Sequence, residues 1–476
     1  MSLRRSDLRF ALPLFPKRAV VLGLDEWSES LRAAGVELGV CPAALDLAVA
    51  PEERADEAAS SGAAIVILEG PGGLRTLQAA GFATSAYLPL PTLEDPDFIL
   101  PLGAGSPARY VLQRWRPAQT MVKRVRNAAA GRLAKRGIMP GRKRYVVGAR
   151  SPGPPLLVAS AAHLGVPAEA KWFLTLGQGD ELTRAVFHLI PPGADEPAWV
   201  LKFARIPNFD EPFARDEAGL TLAASAGEPV SAHAPRLLGR FDAESHHASL
   251  ETAAVGEPLS TLVARSSSRS RAAIDQIAAW IVEMGRITSG EPDTLAEERR
   301  RLENELLAEW HADPAIVRDL PGVAAVLQHN DLGSWNIVWE DPGRFTAVDW
   351  ESARPHGLPL WDLLYFLVDV LPQLDGARSP EERADGAVRL LRGDSPSSGT
   401  LFSWIRKAVE QASLPPESVG SIATLCWLHH GLSHKARGEA TRNVGGQPTA
   451  LPPAERIAPQ WLSDPALGPG WNRWQG

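Results

Sequence analysis

Short apolar runs and alanine-rich, charge-bearing stretches take turns over the first hundred residues: "RAVVLGL", "SESLRAAG", "LDLAVAP", "ADEAASSG", then "AAIVILEG". Strand-like runs separated by helix-like ones predict a small α/β domain with a parallel sheet over residues 1–108. Its first strand-to-helix turn, "LGLDEWSES", lacks the repeated glycines that let a backbone close on a pyrophosphate, so no bound cofactor is expected there. Residues 109–150 then form a basic connector. Within it Met121, Val122, Val125, Ala129 and Leu133 recur at helical spacing, with Lys123, Arg124, Arg126, Arg132 and Arg136 on the remaining positions.

Beyond residue 151 the pattern becomes strand-like. "KWFLTLG", "TRAVFHLI" and "AWVLKFAR" are punctuated by "QGDE" and "PPGADEP", which predicts an antiparallel meander. "FARDEAGLTLAASAG" reads as a helix and "PRLLGRFDAESHHASLETAAVG" as a further strand pair, so 151–255 is sheet-rich. After Gly256 the helical period takes over: Ile274, Ile277, Ile281 and Met284 share one face, and 256–476 reads as mostly helical.

Composition narrows the classes. The 476 residues are too many for one ordinary core, and no apolar run is long enough to suggest a membrane span. Pro13, Pro16, Lys17 and Arg18 interrupt the early apolar patch before it could act as a signal peptide, so a cytoplasmic location is expected. With only Cys41 and Cys426, neither a disulfide framework nor a cysteine-based zinc site is expected. The net charge of -7 conceals thirteen Lys or Arg and no Asp or Glu between Arg109 and Arg150. That asymmetry argues for a basic segment on an acidic body, one that could meet anionic lipid or a polyanion, and against a nucleic-acid-binding protein.

The chemistry concentrates in "HNDLGSWNIVWEDPGRFTAVDWE", from His329 to Glu351. "NIVWE" and "RFTAVDW" are short β-type runs around "DPG", and pairing them as a hairpin brings Asn336 beside Asp349 at one end. Two oxygen-bearing side chains at one point suit a hard cation such as Mg²⁺, which keeps waters and leans on substrate phosphates. The cluster "WLHHGLSHK" offers His429, His430 and His434, with the last two on one helix face. No Glu follows the first His and no third ligand is evident, so these read as structural histidines, not a zinc site.

"HNDLGSWN" followed by "VDWE" resembles the catalytic signature of the aminoglycoside phosphotransferase and choline kinase-like family, whose fold is that of protein kinases. The resemblance implies an α+β two-lobed protein-kinase-like fold behind the front α/β domain, with 151–255 as the N-lobe and 256–476 as the C-lobe. It implies Asp331 as catalytic base, His329 as support for the catalytic loop, Asn336 and Asp349 as Mg²⁺ ligands on ATP, and Asp362 as a structural aspartate. Asn330 replaces the usual glycine, and Asn is the non-glycine residue that best tolerates a left-handed backbone.

A kinase also requires a lysine on a strand and a glutamate on the next helix, and Lys202 and Glu217 stand in those places. Gly177 and Gly179 of "TLGQGDELT" are candidates to cover phosphates, and the stretch from Glu251 to Ala253 is the candidate adenine-binding hinge. Only nine residues separate Asp349 from Pro359, too few for a peptide platform, so a small hydroxyl-bearing acceptor is expected: a sugar, an aminoglycoside or an amino alcohol. Trp361, Tyr365, Phe366 and Trp404 could stack on a sugar or enclose a quaternary amine, although on helices such aromatics are more often core. The alternative is a catalytically silent kinase-like scaffold or nucleotide-binding partner protein in surface-polysaccharide synthesis.

Overall fold

The computed structural model describes residues 3–39, 45–70, 72–103, 107–112, 121–137, 144–176, 184–205, 211–265, 267–318, 320, 322–443 and 453–476. By contacts the chain divides into two units. Among the described residues, one contains 3–213 with Leu237–Ala253, the other Ala214–Arg236 with Ala254–Asn443 and 453–476.

The first unit is built on a twelve-stranded sheet. Its strands are β1 (Arg18–Val21), β2 (Glu37–Leu38), β3 (Leu47–Pro51), β4 (Ile65–Glu69), β5 (Ala83–Pro91), β6 (Pro96–Pro101), β7 (Tyr145–Ala149), β8 (Lys171–Thr175), β9 (Ala185–Ile190), β10 (Trp199–Phe203), β11 (Leu237–Ala243) and β12 (His246–Thr252). They lie in the order β11-β12-β10-β9-β8-β6-β5-β7-β4-β3-β1-β2. Neighbours among β2, β1, β3 and β4 run parallel, and every pairing from β4 to β11 is antiparallel. The unbroken apolar runs "LAVA" and "IVIL" are the mark of strands buried on both faces. Leu47, Val49, Ile65 and Ile67 enter one core, while Ala48, Ala50, Val66 and Leu68 enter another.

This sheet does not stop at the boundaries read from the sequence. β7, drawn from the basic connector, inserts between β4 and β5, and β6 pairs with β8, so the parallel strands and the antiparallel meander share one sheet. Hydrophobic patterning locates strands but leaves open which edge each one joins. The connector helix, Met121–Ala134, also differs from expectation. Ala134 is buried and Gly131 lies against the Arg109 backbone, whereas Val125, placed on the inward stripe by the sequence, is 64% exposed.

The second unit is mainly helical. Its helices include Ser268–Ile287, Trp361–Leu374 and Ser418–Asn443. Ser267 caps the first of these by accepting from the Ser270 N–H, a reciprocal capping box. Trp361–Leu374 is buried on nearly every side, as a helix apolar all round must be. Two small sheets complete the unit: β13 (Glu257–Pro258), β15 (Ile337–Asp341) and β16 (Arg344–Ala347) form one, β14 (Val326–Gln328) and β17 (Arg354–Gly357) the other. Gly256, at φ 139°, passes so close to Trp339 that an added Cβ would lie 2.2 Å from its carbonyl oxygen, so only glycine fits where β13 joins β15.

Candidate active site

Strand alternation sets the chemistry of β10. Leu201 and Phe203 point into the core, so Lys202 takes the opposite face. In the β10–β12 ladder Val200 faces Glu251 and Lys202 faces Ser249, which makes Lys202 and Glu251 diagonal neighbours on that face. Their charges meet, with Nζ 2.9 Å from Oε1 and both residues buried. His188, opposite Val200 on β9, stacks on Phe173 with centroids 4.4 Å apart. Burial lowers its pKa to about 3, so it is neutral.

The sequence assigned Glu251 to a hinge through its backbone. Its side chain is what the structure brings to Lys202. Period-two alternation on two strands could have revealed the pairing, had the register of β12 been known. At Ala253 the backbone N–H donates to the Ala198 carbonyl at 2.9 Å, so that N–H is already engaged. Gly177 and Gly179 lie outside the described residues.

In the second unit a hairpin turned at Pro342 and Gly343 pairs β15 with β16, and Gly343 adopts the positive φ, 83°, that such a turn requires. The Val348 N–H donates to the Asn336 carbonyl at 2.8 Å, which sets Asn336 and Asp349 at the same end. Asn336 Nδ2 donates to the Asp331 backbone carbonyl at 2.9 Å and to its carboxylate at 3.0 Å. Asp331 and Asn336 are thereby joined, and Asp349 follows directly on Val348. Asp349 sits at φ 68°, ψ 65°, a left-handed conformation uncommon for a residue with a Cβ and frequent at functional turns.

Buried carboxylates hold the loop around Asp331. Asp362 accepts the backbone N–H groups of His329 at 2.7 Å and Asn330 at 2.8 Å. Burial pushes its pKa up to about 6 against the lowering effect of those two bonds. Asp369 accepts the Ser334 N–H at 2.8 Å, while Gln373 donates to its carboxylate at 3.0 Å. His329 bonds the Val348 carbonyl through Nε2 at 3.0 Å and packs on Trp350. Burial lowers its pKa to about 4, so it braces the loop as a neutral ring. Asn330 has φ 64°, and its Nδ2 reaches His429 Nε2 at 3.1 Å.

Glu217 lies on the helix Glu211–Ser225 and is buried. Two residues on, Gly219 lets that helix pass directly over the turn that follows Asp349: an added Cβ would stand 2.0 Å from the Trp350 carbonyl oxygen. The sequence reading missed this contact, whose only trace is a glycine inside a helical pattern.

The aromatic side chains divide between core and surface. Trp361 and Phe366 are fully buried core residues, and Trp404 donates to Asp275 at 3.2 Å. The exposed aromatic in the catalytic loop is Trp335, 44% accessible, lying over Gly333 and edge-on to Tyr365 at 6.0 Å. His430 stacks on Tyr365 at 3.8 Å and His434 Nε2 meets the Tyr365 hydroxyl at 3.0 Å, so these histidines serve the ring.

Among the described residues no cluster of three His, Cys, Asp or Glu is arranged to hold a metal ion. Asn336 with Asp349 is instead the sparse oxygen pair that fits Mg²⁺ when water and phosphate oxygens complete its shell. No helix among the described residues is long and apolar enough to cross a membrane.

Residues 178–394 match the model of the phosphotransferase enzyme family, APH. The resemblance read from the catalytic signature is therefore met by a phosphotransferase family model over that stretch. No curated protein matches the chain. Solved structures similar to it include WbdD bound to the kinase inhibitor LY294002, 12% identical over 87% of each chain with a TM-score of 0.29. Another is aminoglycoside phosphotransferase APH(3'')-Id from Streptomyces rimosus, 16% identical over 57% of this chain and 95% of that one, TM-score 0.33. The same enzyme with ADP and streptomycin is 18% identical over 51% and 88%, TM-score 0.30.

Proposed function

We propose that the protein transfers the γ-phosphoryl group of ATP to a hydroxyl of a small molecule such as a sugar, an aminoglycoside or an amino alcohol. The observation that carries this reading is the bonding of Asn336 to both the backbone and the carboxylate of Asp331, with Asp349 held alongside through Val348. A proton acceptor and two oxygen ligands at one point are what phosphoryl transfer requires, since its catalysis is mostly positioning and charge neutralisation.

Asp331 is the base that takes the proton of the acceptor hydroxyl. Asn336, whose Nδ2 is spent on Asp331, offers its amide oxygen, and Asp349 its carboxylate, to a magnesium ion. Bound there, Mg²⁺ supplies positive charge to the ATP phosphates. Lys202, steadied by Glu251, is the group for the α and β phosphates, and Glu217 is the helix carboxylate that the family resemblance implies. His329 supports the loop without titrating near neutrality. The carbonyls of the Glu251–Ala253 stretch are the groups proposed to receive adenine. The exposed Val125 and the exposed Arg126 beside it support a further contact with anionic lipid or a polyanion, tested by salt-dependent binding to anionic liposomes.

The test is ADP release by the purified chain with mannose, streptomycin and choline as acceptors. Asp331→Ala is expected to lose about a hundredfold or more in turnover while still binding MgATP. Asp349→Ala is expected to weaken magnesium-dependent nucleotide binding. Equal turnover by wild type and Asp331→Ala overturns the assignment, and clear MgATP binding with no transfer to any acceptor favours the silent scaffold.

A further inference from the structure

We propose that Trp335 is the platform on which the acceptor lies, and that the acceptor presents a pyranose ring to it. This rests on the phosphotransfer reading above and narrows the acceptor to a molecule that contains a sugar ring. Trp335 belongs to the turn from Asp331 to Asn336, which the Asn336 amide closes on the Asp331 carboxylate. Backbone bonds fix that turn: the Gly333 N–H donates to the Asp331 carbonyl at 2.9 Å and the Asn336 N–H to the Gly333 carbonyl at 3.0 Å. The Ser334 N–H is tied to Asp369. Within the turn Leu332, Gly333, Ser334 and Asn336 are buried and Asp331 is half-buried, while Trp335 is 44% exposed. No other Phe, Tyr or Trp among the described residues is as open to water.

The exposed ring is nonetheless held in place. It lies over Gly333, where an added Cβ would strike the indole at Cε2, Cζ2 and Cη2. Gly333 has φ -88° and ψ 168°, extended backbone that any residue adopts, so its conformation does not call for glycine. The ring above it does. On another side the indole stands perpendicular to Tyr365, with 89° between the planes. An apolar ring pinned in water contributes little to the fold, because the free energy of burying it is forgone. What it offers is one flat, preordered face in the same turn as the proposed base. The C–H face of a pyranose can lie on that ring, its slightly positive hydrogens against the negative π face, with hydroxyls left free at the rim for Asp331. The indole N–H, which has no acceptor among the described residues, is a donor for one of those hydroxyls. A quaternary amine asks for a different site, a cage of several open aromatic faces. Tyr365 does not supply a second one: it is 6% exposed and the His430 ring covers it at 3.8 Å.

The experiment reads binding and transfer separately. Saturation-transfer NMR on the full chain, with magnesium and a non-hydrolysable ATP analogue, follows the methyl pyranosides of mannose, galactose and glucosamine beside choline. ADP release with ATP follows transfer. At least one pyranoside is expected to bind, with saturation concentrated on the ring C–H protons of one face, and choline is expected not to bind. Trp335→Ala should weaken that pyranoside about three- to tenfold with MgATP affinity unchanged, and Trp335→Phe, which keeps a smaller flat face, should weaken it less. Gly333→Ala keeps the indole but dislodges it, and should weaken the pyranoside as Trp335→Ala does. Full pyranoside affinity in Trp335→Ala or in Gly333→Ala overturns the platform, and so does a wild-type chain that binds choline or none of the pyranosides. Trp335-dependent pyranoside binding without ADP release upholds the sugar subsite and overturns the phosphotransfer reading.

Discussion

The strand that presents Lys202 and the loop that presents Asp331 position charged groups by opposite means. On β10 the work is done by alternation: burying Leu201 and Phe203 leaves Lys202 on the other face, and the ladder to β12 supplies Glu251. Around Asp331 no regular element could place the groups. Asn330 and Asp349 adopt positive φ, and two buried carboxylates, Asp362 and Asp369, collect backbone N–H groups from the loop. A strand tolerates loss of one side chain because its ladder remains. A loop held by side-chain acceptors has no such reserve, since each buried donor left unpaired costs about 1–3 kcal/mol.

The largest effect should therefore come from Asp362→Ala. Two buried N–H groups lose their acceptor, so the second unit should lose about 2–4 kcal/mol in urea unfolding. Transfer should fall about a hundredfold or more through misplacement of Asp331. Asp362→Asn, which keeps one acceptor oxygen, should do less damage. If Asp362→Ala unfolds at the wild-type urea midpoint, the contrast between loop and strand is lost.

Glu251→Gln probes the strand side. Removing the charge beside Lys202 should leave the fold in place and weaken MgATP binding about tenfold, or roughly 1.4 kcal/mol by titration. A larger loss of stability here than in Asp362→Ala would reverse the comparison. Trp335→Ala should be milder still. Its effect should be confined to acceptor KM, raised severalfold with kcat and MgATP affinity unchanged, because the ring is exposed and holds no loop bond.

Acidification should touch both regions with one sign. His188 in the first unit and His329 in the second have their pKa values lowered by burial, to about 3 and about 4, from 6.5. His246, also in the first unit, is lowered to about 4. Between pH 6.5 and about 4 the unfolded chain binds protons at these rings that the folded chain refuses, so stability falls as pH falls. Asp362 opposes this. Raised to about 6 from 3.8, it keeps a proton in the folded state that the unfolded chain releases, so its share of stability declines as pH rises through that window. Burial also lowers His429 and His430 and raises Glu69 and Asp369; five histidines outweigh three carboxyls, and the urea midpoint should drop from pH 7 to pH 4.5. His188→Phe should lessen the drop for the first unit alone.

Much of the loop site could be read from letters alone. The hairpin runs, the "DPG" turn and the spacing of Asp331, Asn336 and Asp349 rest on local rules, and the hairpin forms as the pattern implied, with Asn336 bonded to Asp331. Asp362 was found through a family resemblance, because nothing local says that a carboxylate thirty-odd residues away will bond the His329 and Asn330 N–H groups. The split among the aromatics was hidden for a related reason. Trp361 and Phe366 look as available as Trp335 in a string of residues, and only packing decides that the first two are core.

The sequence by itself determined which segments became strands and helices, where the turns fall, and which short stretch bears the phosphotransferase signature, since those depend on neighbours a few residues apart. Only the tertiary structure decided that β7 inserts between β4 and β5, that Glu251 turns its carboxylate to Lys202, and that Tyr365 meets His434. Each of these is a choice of partner between distant segments. Such choices are settled by the burial and register of the whole chain, which no local pattern contains.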